Sequence, residues 1–111
     1  MNKGNILTIN KDEGDDIYID FYQVKKSLLI FRALNHTLRQ EILRFIKQEK
    51  QVTVTSIYSK LEVEQSVASQ HLAILRRAHF VKTKRNGKFV LYYINDQQFE
   101  ILEKVNQILM A

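Results

Sequence analysis

Serine, glutamine and arginine side chains, all able to form hydrogen bonds, lie between residues 65 and 77. Hydroxyl and amide groups on one helix approach base edges and phosphates without steric cost, and arginines nearer the helix end suit phosphates. The candidate contact residues in this segment are Gln65, Ser66, Ser69, Gln70, Arg76 and Arg77. An ordinary solvated helix face is the alternative interpretation of the same residues.

A second group of candidate residues is basic and follows directly. Six basic residues and no Asp or Glu lie between Gln65 and Asn95. A stretch of one charge sign is typical of a surface that faces a polyanion. Beyond the two arginines, its cations are Lys82, Lys84, Arg85 and Lys88. A lysine-rich solvated face is again the alternative.

Five helices are predicted to position these residues, because apolar side chains recur in them at steps of three or four. The predicted helices cover about Asp20 to Leu34, Thr37 to Gln48, a short segment from Val54 to Leu61, Gln65 to Ala78, and the stretch from Asp96 towards the C-terminus. Ser, Thr, Asn and Asp are favoured N-caps. We therefore expect Thr37, Thr53 or Thr55, and Asp96 to cap the second, third and last helices.

The sequence period changes to two after the fourth helix. Asn86-Gly87 predicts a two-residue β-hairpin turn, since both central positions of a type I′ turn need positive φ. The fold is thus mostly α with a small β-hairpin, in the order α-α-α-α-β-β-α. Two short helices joined by a three- or four-residue turn and followed by a basic hairpin are typical of a winged helix-turn-helix.

The segment VEQSVASQHLAILRRAHFVKTKRNGKFVLYY, from Val63 to Tyr93, resembles the winged-helix core of the ArsR/SmtB family of bacterial repressors. The residues that match the family pattern in register are Gln65, Ser66, Ser69, His71, Leu72, Leu75, Ala78 and Val81. Leu34 to Leu43 resembles the family's second-helix stretch. The resemblance covers about residues 20 to 109. It implies a regulator of transcription, a dimeric repressor that binds double-stranded DNA at an inverted repeat.

Two residues depart from the family pattern at the ends of the fourth helix. Glu64 lies where the family usually has Ser or Asp as N-cap, so we expect weaker capping or capping by a neighbour. His79 lies where many members have Gly, at a position that favours left-handed backbone. His71, by contrast, lies on the inward stripe, and we expect it to have a hydrogen-bonded, partly buried structural role.

Apolar stripes on the first and last helices exceed what a small core needs. A two-fold dimer presents two recognition helices to half-sites about 10 base pairs, or a multiple, apart. The family resemblance implies that these helices form the dimer interface, with Phe21, Val24, Leu28, Phe31, Phe99, Leu102, Val105 and Leu109 as its residues. Burial of both stripes within one chain is the alternative.

The residue inventory excludes several kinds of chemistry. There is no cysteine, so disulfides, thiolate metal sites and thiol redox sensing are excluded. The three histidines lack a familiar ligand spacing, and no nucleophile with its base or phosphate cradle can be assembled. We therefore expect no enzyme activity, no metal and no cofactor. Metal sensing through carboxylates and a winged-helix module that binds protein stay open as alternatives.

The N-terminal residues differ in charge from the rest of the chain. Residues 1–20 carry a net charge of −3 and the remainder +8. We expect residues 1–16 to form an acidic, mobile or loosely docked arm and residues 17–111 to form the winged domain. The arm is hypothesised to compete with DNA for the basic face. No apolar run has the length of a membrane span, so a cytoplasmic protein without membrane contact is expected.

Overall fold

The computed structural model describes residues 5–111 and contains all five predicted helices in the predicted order. The elements are β1 (Ile6–Ile9), β2 (Ile17–Asp20), α1 (Phe21–Leu34), α2 (Thr37–Glu49), α3 (Val54–Leu61), α4 (Gln65–Arg77), β3 (Val81–Asn86), β4 (Phe89–Ile94) and α5 (Asp96–Leu109). From α1 onwards, the predicted mostly α fold with one hairpin is confirmed. No helix of the described residues is long and apolar enough to span a membrane.

An antiparallel hairpin precedes α1, where no regular structure was predicted. β1 pairs with β2, with Ile6 opposite Asp20. The Asp16 carboxylate closes the connection by accepting hydrogen bonds from the Asn10 side chain at 2.9 Å and from the Lys11 backbone N–H at 3.2 Å. The sequence analysis assigned no strand to residues 1–16, so β1 was missed. A four-residue strand is too short to show a sequence period, which is why the pattern was missed.

Contacts within the chain divide it into two compact units. The first contains β1, β2 and α1 through Arg32, and the second begins at Ala33 and contains the other helices and the β3–β4 hairpin. The largest fully buried side chains all belong to the second unit, and they are Phe80, Ile42, Ile46, Ile57, Leu72, Leu75 and Val81. This core therefore fixes α3 and α4 against α2 and the hairpin.

The starts of α2 and α3 show one wrong and one correct cap prediction. His36, rather than Thr37, is the N-cap of α2, and its Nδ1 accepts a hydrogen bond from the Leu38 backbone N–H at 3.1 Å. Thr53 caps α3 as predicted, since its Oγ1 accepts from the Ser56 N–H at 3.2 Å. An imidazole nitrogen is an acceptor like a hydroxyl, so it satisfies the same free N–H groups.

The start of α5 is tied to the end of α4. Its N-cap residue is Asn95, not Asp96, and the Asn95 side chain does not cap the helix. That side chain instead donates a hydrogen bond to the His79 carbonyl at 2.8 Å. Gln98 also donates to the Ala78 carbonyl at 2.8 Å. The side chains of the N-cap residue and of one residue of α5 thus hold the segment that leads from α4 into β3.

The β3–β4 turn lies one residue later than the sequence predicted. Asn86 pairs with Phe89, so the two central residues are Gly87 and Lys88. Gly87 has φ +61°, whereas neither Asn86 nor Lys88 has positive φ. Positive φ at the first central residue alone is the pattern of a type II′ turn, which places Gly there. The shift puts Lys88 in the turn itself.

Candidate nucleic-acid interface

A three-residue turn connects α3 to α4. The C-cap of α3 is Glu62, which adopts the left-handed conformation with φ 55° and ψ 46°. The following Val63 N–H donates a hydrogen bond to the Tyr58 carbonyl at 3.1 Å. One left-handed residue changes the chain direction sharply, so the connection to α4 needs only two more residues, Val63 and Glu64. This geometry makes α3 and α4 a helix-turn-helix pair.

The first turn of α4 has no side-chain cap. Glu64 holds the N-cap position with φ −67° and ψ 148°, and its side chain makes no capping hydrogen bond. The weaker capping expected from the sequence is therefore confirmed. The first N–H groups of α4 have no intrahelical partner, so they are free to bind solvent or an anion.

The end of α4 is a Schellman motif centred on His79. The Phe80 N–H donates to the Leu75 carbonyl at 2.9 Å, and the His79 N–H donates to the Arg76 carbonyl at 3.0 Å. His79 has φ 65°, as its place in the family pattern predicted. A residue with a Cβ is strained in this conformation, so the recognition helix ends on a residue that glycine would suit better.

Replacing His79 with glycine should therefore stabilise the protein. We expect His79→Gly to raise the free energy of unfolding by about 1 kcal/mol, because the left-handed conformation is free of Cβ strain in glycine. Urea denaturation at one protomer concentration measures the change. Glu41→Gly, at an exposed position inside α2, is the control and should cost about 1 kcal/mol. A destabilised His79→Gly would contradict the assignment of strain.

One face of α4 carries all six residues that the sequence predicted. At 3.6 residues per turn, positions 65, 66, 69, 70, 73, 76 and 77 lie within roughly 140° of the helix circumference. We call this surface the α4 face. All seven residues are exposed, while Ala68, Leu72 and Leu75 on the other side are buried. The structure thus brings Gln65, Ser66, Ser69, Gln70, Arg76 and Arg77 together.

A groove of about 460 Å³ lies beside the α4 face. It is lined by Ser69, Leu72, Ala73, Arg76, Arg77 and Tyr92. Tyr92 belongs to β4, so the hairpin contributes to the same surface as the helix. The sequence analysis missed Ala73 and Tyr92. The signal was present in both cases, since Ala73 has the helical spacing of the face and Tyr92 alternates with the neighbouring positions of β4.

Strand alternation divides the predicted wing cations between two faces. All four are exposed, and they are Lys82, Lys84, Arg85 and Lys88. Cross-strand partners share a face, and Thr83 pairs with Tyr92, so Arg85 lies on the face of Tyr92 and of the groove. Lys82 and Lys84 lie on the opposite face with Tyr93. The sequence predicted one basic hairpin, and the strand pairing puts Arg85 on the hairpin face of Tyr92 and the two lysines on the other face.

His71 connects α4 to α2 beneath this surface. It is half-buried, and its Nδ1 lies 3.1 Å from a terminal guanidinium nitrogen of Arg39. The Nε of Arg39 donates a hydrogen bond to the Ala33 carbonyl at 2.6 Å. Because arginine has only donors, Nδ1 must accept, and the neutral ring carries its proton on Nε2. Burial lowers the pKa of His71, and so do the nearby His36 and Arg39. The structural role expected for His71 agrees with this arrangement.

Acid should destabilise the fold through His71. Since its pKa in the folded chain lies below the usual 6.5, the unfolded chain binds the proton more readily. The full contribution is present above pH 6.5 and is lost as pH falls from there through the lower folded pKa. We expect His71→Gln to flatten the fall in unfolding free energy on acidification, which urea denaturation at a series of pH values measures. Equal slopes for wild type and His71→Gln would contradict this.

These elements define the class of the protein. α3 and α4 form a helix-turn-helix, α4 exposes a polar face, and a hairpin with exposed basic residues follows. This arrangement is a winged helix-turn-helix, a class of protein that binds DNA by placing the second helix in the major groove.

Comparisons with known proteins agree with this class. Residues 37–83 match the family described as bacterial regulatory protein, arsR family. An HTH-type transcriptional regulator of Methanocaldococcus jannaschii is 32% identical over 85 residues, which cover 76% of this chain and 96% of that protein. The transcriptional activator HlyU of Vibrio cholerae is 30% identical over 77 residues, 69% of this chain and 70% of that protein. The crystal structure of the transcriptional repressor PagR of Bacillus anthracis matches with a TM-score of 0.62 at 27% identity, covering 77% of this chain and 97% of that chain.

The chain belongs to the arsR family of bacterial regulatory proteins. It is a DNA-binding transcriptional regulator and not an enzyme, and the family resemblance stated from the sequence is confirmed.

Proposed function

We propose that the chain is a homodimeric repressor that binds an inverted-repeat operator through the α4 face and the tip of the β3–β4 hairpin. The observation that carries this proposal is the exposure of every polar and basic residue of the α4 face, in a stretch that contains no acidic residue from 65 to 95. The relatives include both a repressor and an activator by name, so repression is the part to test by reporter assay.

Three residues of the α4 face are proposed to read bases. Ser66, Ser69 and Gln70 are exposed and uncharged, so each can reach a base edge in the major groove without a steric or charge penalty. Gln70 offers the donor and acceptor that adenine requires for a bidentate pair. Arg76 and Arg77 lie in the last turn, where they suit phosphates, and Arg77 is held along the helix by a 3.3 Å hydrogen bond from Nε to the Ala73 carbonyl.

The wing is proposed to contribute affinity through Arg85 and Lys88. We expect Arg85→Gln or Lys88→Gln to weaken binding of all sequences to a similar degree and to lower the slope of log K against log salt by about 0.9, the value for one phosphate contact. Fluorescence anisotropy over a salt series measures both quantities.

Lys82→Gln and Lys84→Gln are matched controls, because they remove the same charge from the opposite face of the hairpin. Their salt slopes should stay close to that of the wild type. If all four variants lose the same slope, the division of the wing into two faces does not govern DNA contact.

The dimer is proposed from apolar faces that one chain leaves uncovered. No residue of α5 is buried, and Ala33 is the one buried residue of α1. Of the eight predicted interface residues, Phe21, Val24, Leu28 and Leu109 are exposed and the others are half-buried. Exposed apolar patches on a helix are typical of an interaction surface.

The signal is proposed to be something other than a metal ion. The sequence has no cysteine, and within residues 5–111 no group of three or more His, Asp or Glu is placed to hold a metal. These facts support a repressor that responds to a small organic molecule, to a protein partner or to its own abundance.

A further inference from the structure

A second groove, of about 560 Å³, lies between α2, β4 and the start of α5. Leu43, Ile94 and Phe99 supply apolar surface to it, together with the ring of Tyr93. The Phe99 ring also contacts the buried Phe80, with 5.0 Å between ring centroids, so the core supports this part of the groove. A cavity of this size and lining falls within the range of small-molecule sites, about 300–1,000 Å³.

Three cations of α2 and its C-cap line the same groove. Arg44, Lys47 and Lys50 follow one another at three-residue steps, so they lie along one side of the helix. All three are exposed, and among the described residues none is paired with a carboxylate. Asp96 is the one acidic residue in the lining. The groove therefore combines an apolar wall with an excess of positive charge.

We propose that this groove binds a small organic carboxylate that has an aromatic or aliphatic body. The carboxylate accepts charge-assisted hydrogen bonds from Arg44 and Lys47, and the apolar body displaces water from Phe99 and Leu43. An inorganic anion would bind only the cations of the groove, and a neutral hydrocarbon would contact only its apolar residues. A molecule with both a carboxylate and an apolar body matches the whole lining.

The groove is distinct from the DNA-facing surface. Tyr92 lines the groove beside α4, whereas Tyr93 and Ile94 line this one. The two grooves share no lining residue. The proposal therefore stands apart from the proposed operator binding, and its test needs no DNA.

Phe99 is also one of the eight predicted interface residues, so the proposal requires that its groove side stays uncovered when two chains associate. Isothermal titration of the full-length protein with 3-phenylpropionate tests the proposal, with 3-phenylpropanamide and acetate as matched probes. We expect saturable binding of 3-phenylpropionate at one site per chain and at least tenfold weaker binding of both other probes. Arg44→Gln with Lys47→Gln should weaken binding at least fivefold. Lys60→Gln, at an exposed lysine of α3, should leave it unchanged.

Asp96→Asn provides a variant whose expected effect is a gain, which a damaged fold cannot produce. Removing the one carboxylate of the lining should tighten binding of 3-phenylpropionate about threefold. Equal binding of acid and amide would overturn the proposal, and so would wild-type affinity of the double variant. If a second copy of the chain covers the groove instead, 3-phenylpropionate does not bind and the double variant weakens the dimer, which also overturns it.

Discussion

Replacing Ser66, Ser69 and Gln70 together with alanine is expected to lower affinity for the operator at least 100-fold, while affinity for unrelated DNA changes less than about twofold. Each good base contact discriminates by about 1–3 kcal/mol, so three contacts at the low end amount to two orders of magnitude. All three side chains are exposed, so their removal leaves no cavity and the fold is retained. Anisotropy titrations with operator and scrambled duplexes measure the ratio.

The control for this prediction removes the same chemistry from elsewhere on the surface. Ser59→Ala with Gln48→Ala changes exposed residues of α3 and α2 outside the α4 face. Operator affinity of this control should equal that of the wild type. A triple variant that weakens operator and scrambled DNA alike would show that the α4 face supplies affinity without reading sequence.

Introducing glutamate into the exposed apolar face of α1 is expected to separate the dimer. Val24→Glu with Leu28→Glu places two carboxylates where the proposed interface excludes water, and an unpaired buried charge costs several kcal/mol. Val24 is 51% and Leu28 45% exposed, so the substitutions do not disturb the core of the single chain. Sedimentation at micromolar concentration should show a 13.1 kDa species, and operator affinity should fall at least 100-fold.

Lys25→Glu is the matched control for this variant. It lies on the same helix, is exposed, and alters net charge by the same two units as the double substitution. It should sediment with the wild-type dimer. A wild-type protein that sediments only at 13.1 kDa, or a double variant that remains dimeric, would refute the interface.

The elements around the proposed DNA surface were predictable because their patterns are long. Thirteen residues of α4 repeat their apolar positions over more than three turns, so the six residues predicted for its polar face all lie on the exposed side. Gly87 has the positive φ that a hairpin turn requires, and it marked the wing in the sequence. The family resemblance added the expectation of left-handed backbone at His79.

The remaining features depend on neighbours that local patterns do not specify. The wing turn lies one residue later than predicted because Asn86 pairs with Phe89. Gly87 suits the second central position of a type I′ turn and the first central position of a type II′ turn, so the sequence alone does not distinguish the two. His36 replaced Thr37 as a cap because imidazole and hydroxyl acceptors compete over the same N–H groups. The groove beside Phe99 joins α2, β4 and α5, which are far apart in sequence, so only the tertiary structure brings its cations and apolar wall together.

Selection of binding sites from random duplex DNA at about 150 mM salt, close to physiological ionic strength, tests the central claim most directly. A dimer with two α4 faces should enrich an inverted repeat whose half-sites are spaced by about 10 base pairs or a multiple. Enrichment of a single half-site, or of no sequence at all, would contradict the proposal of a dimeric, sequence-reading repressor.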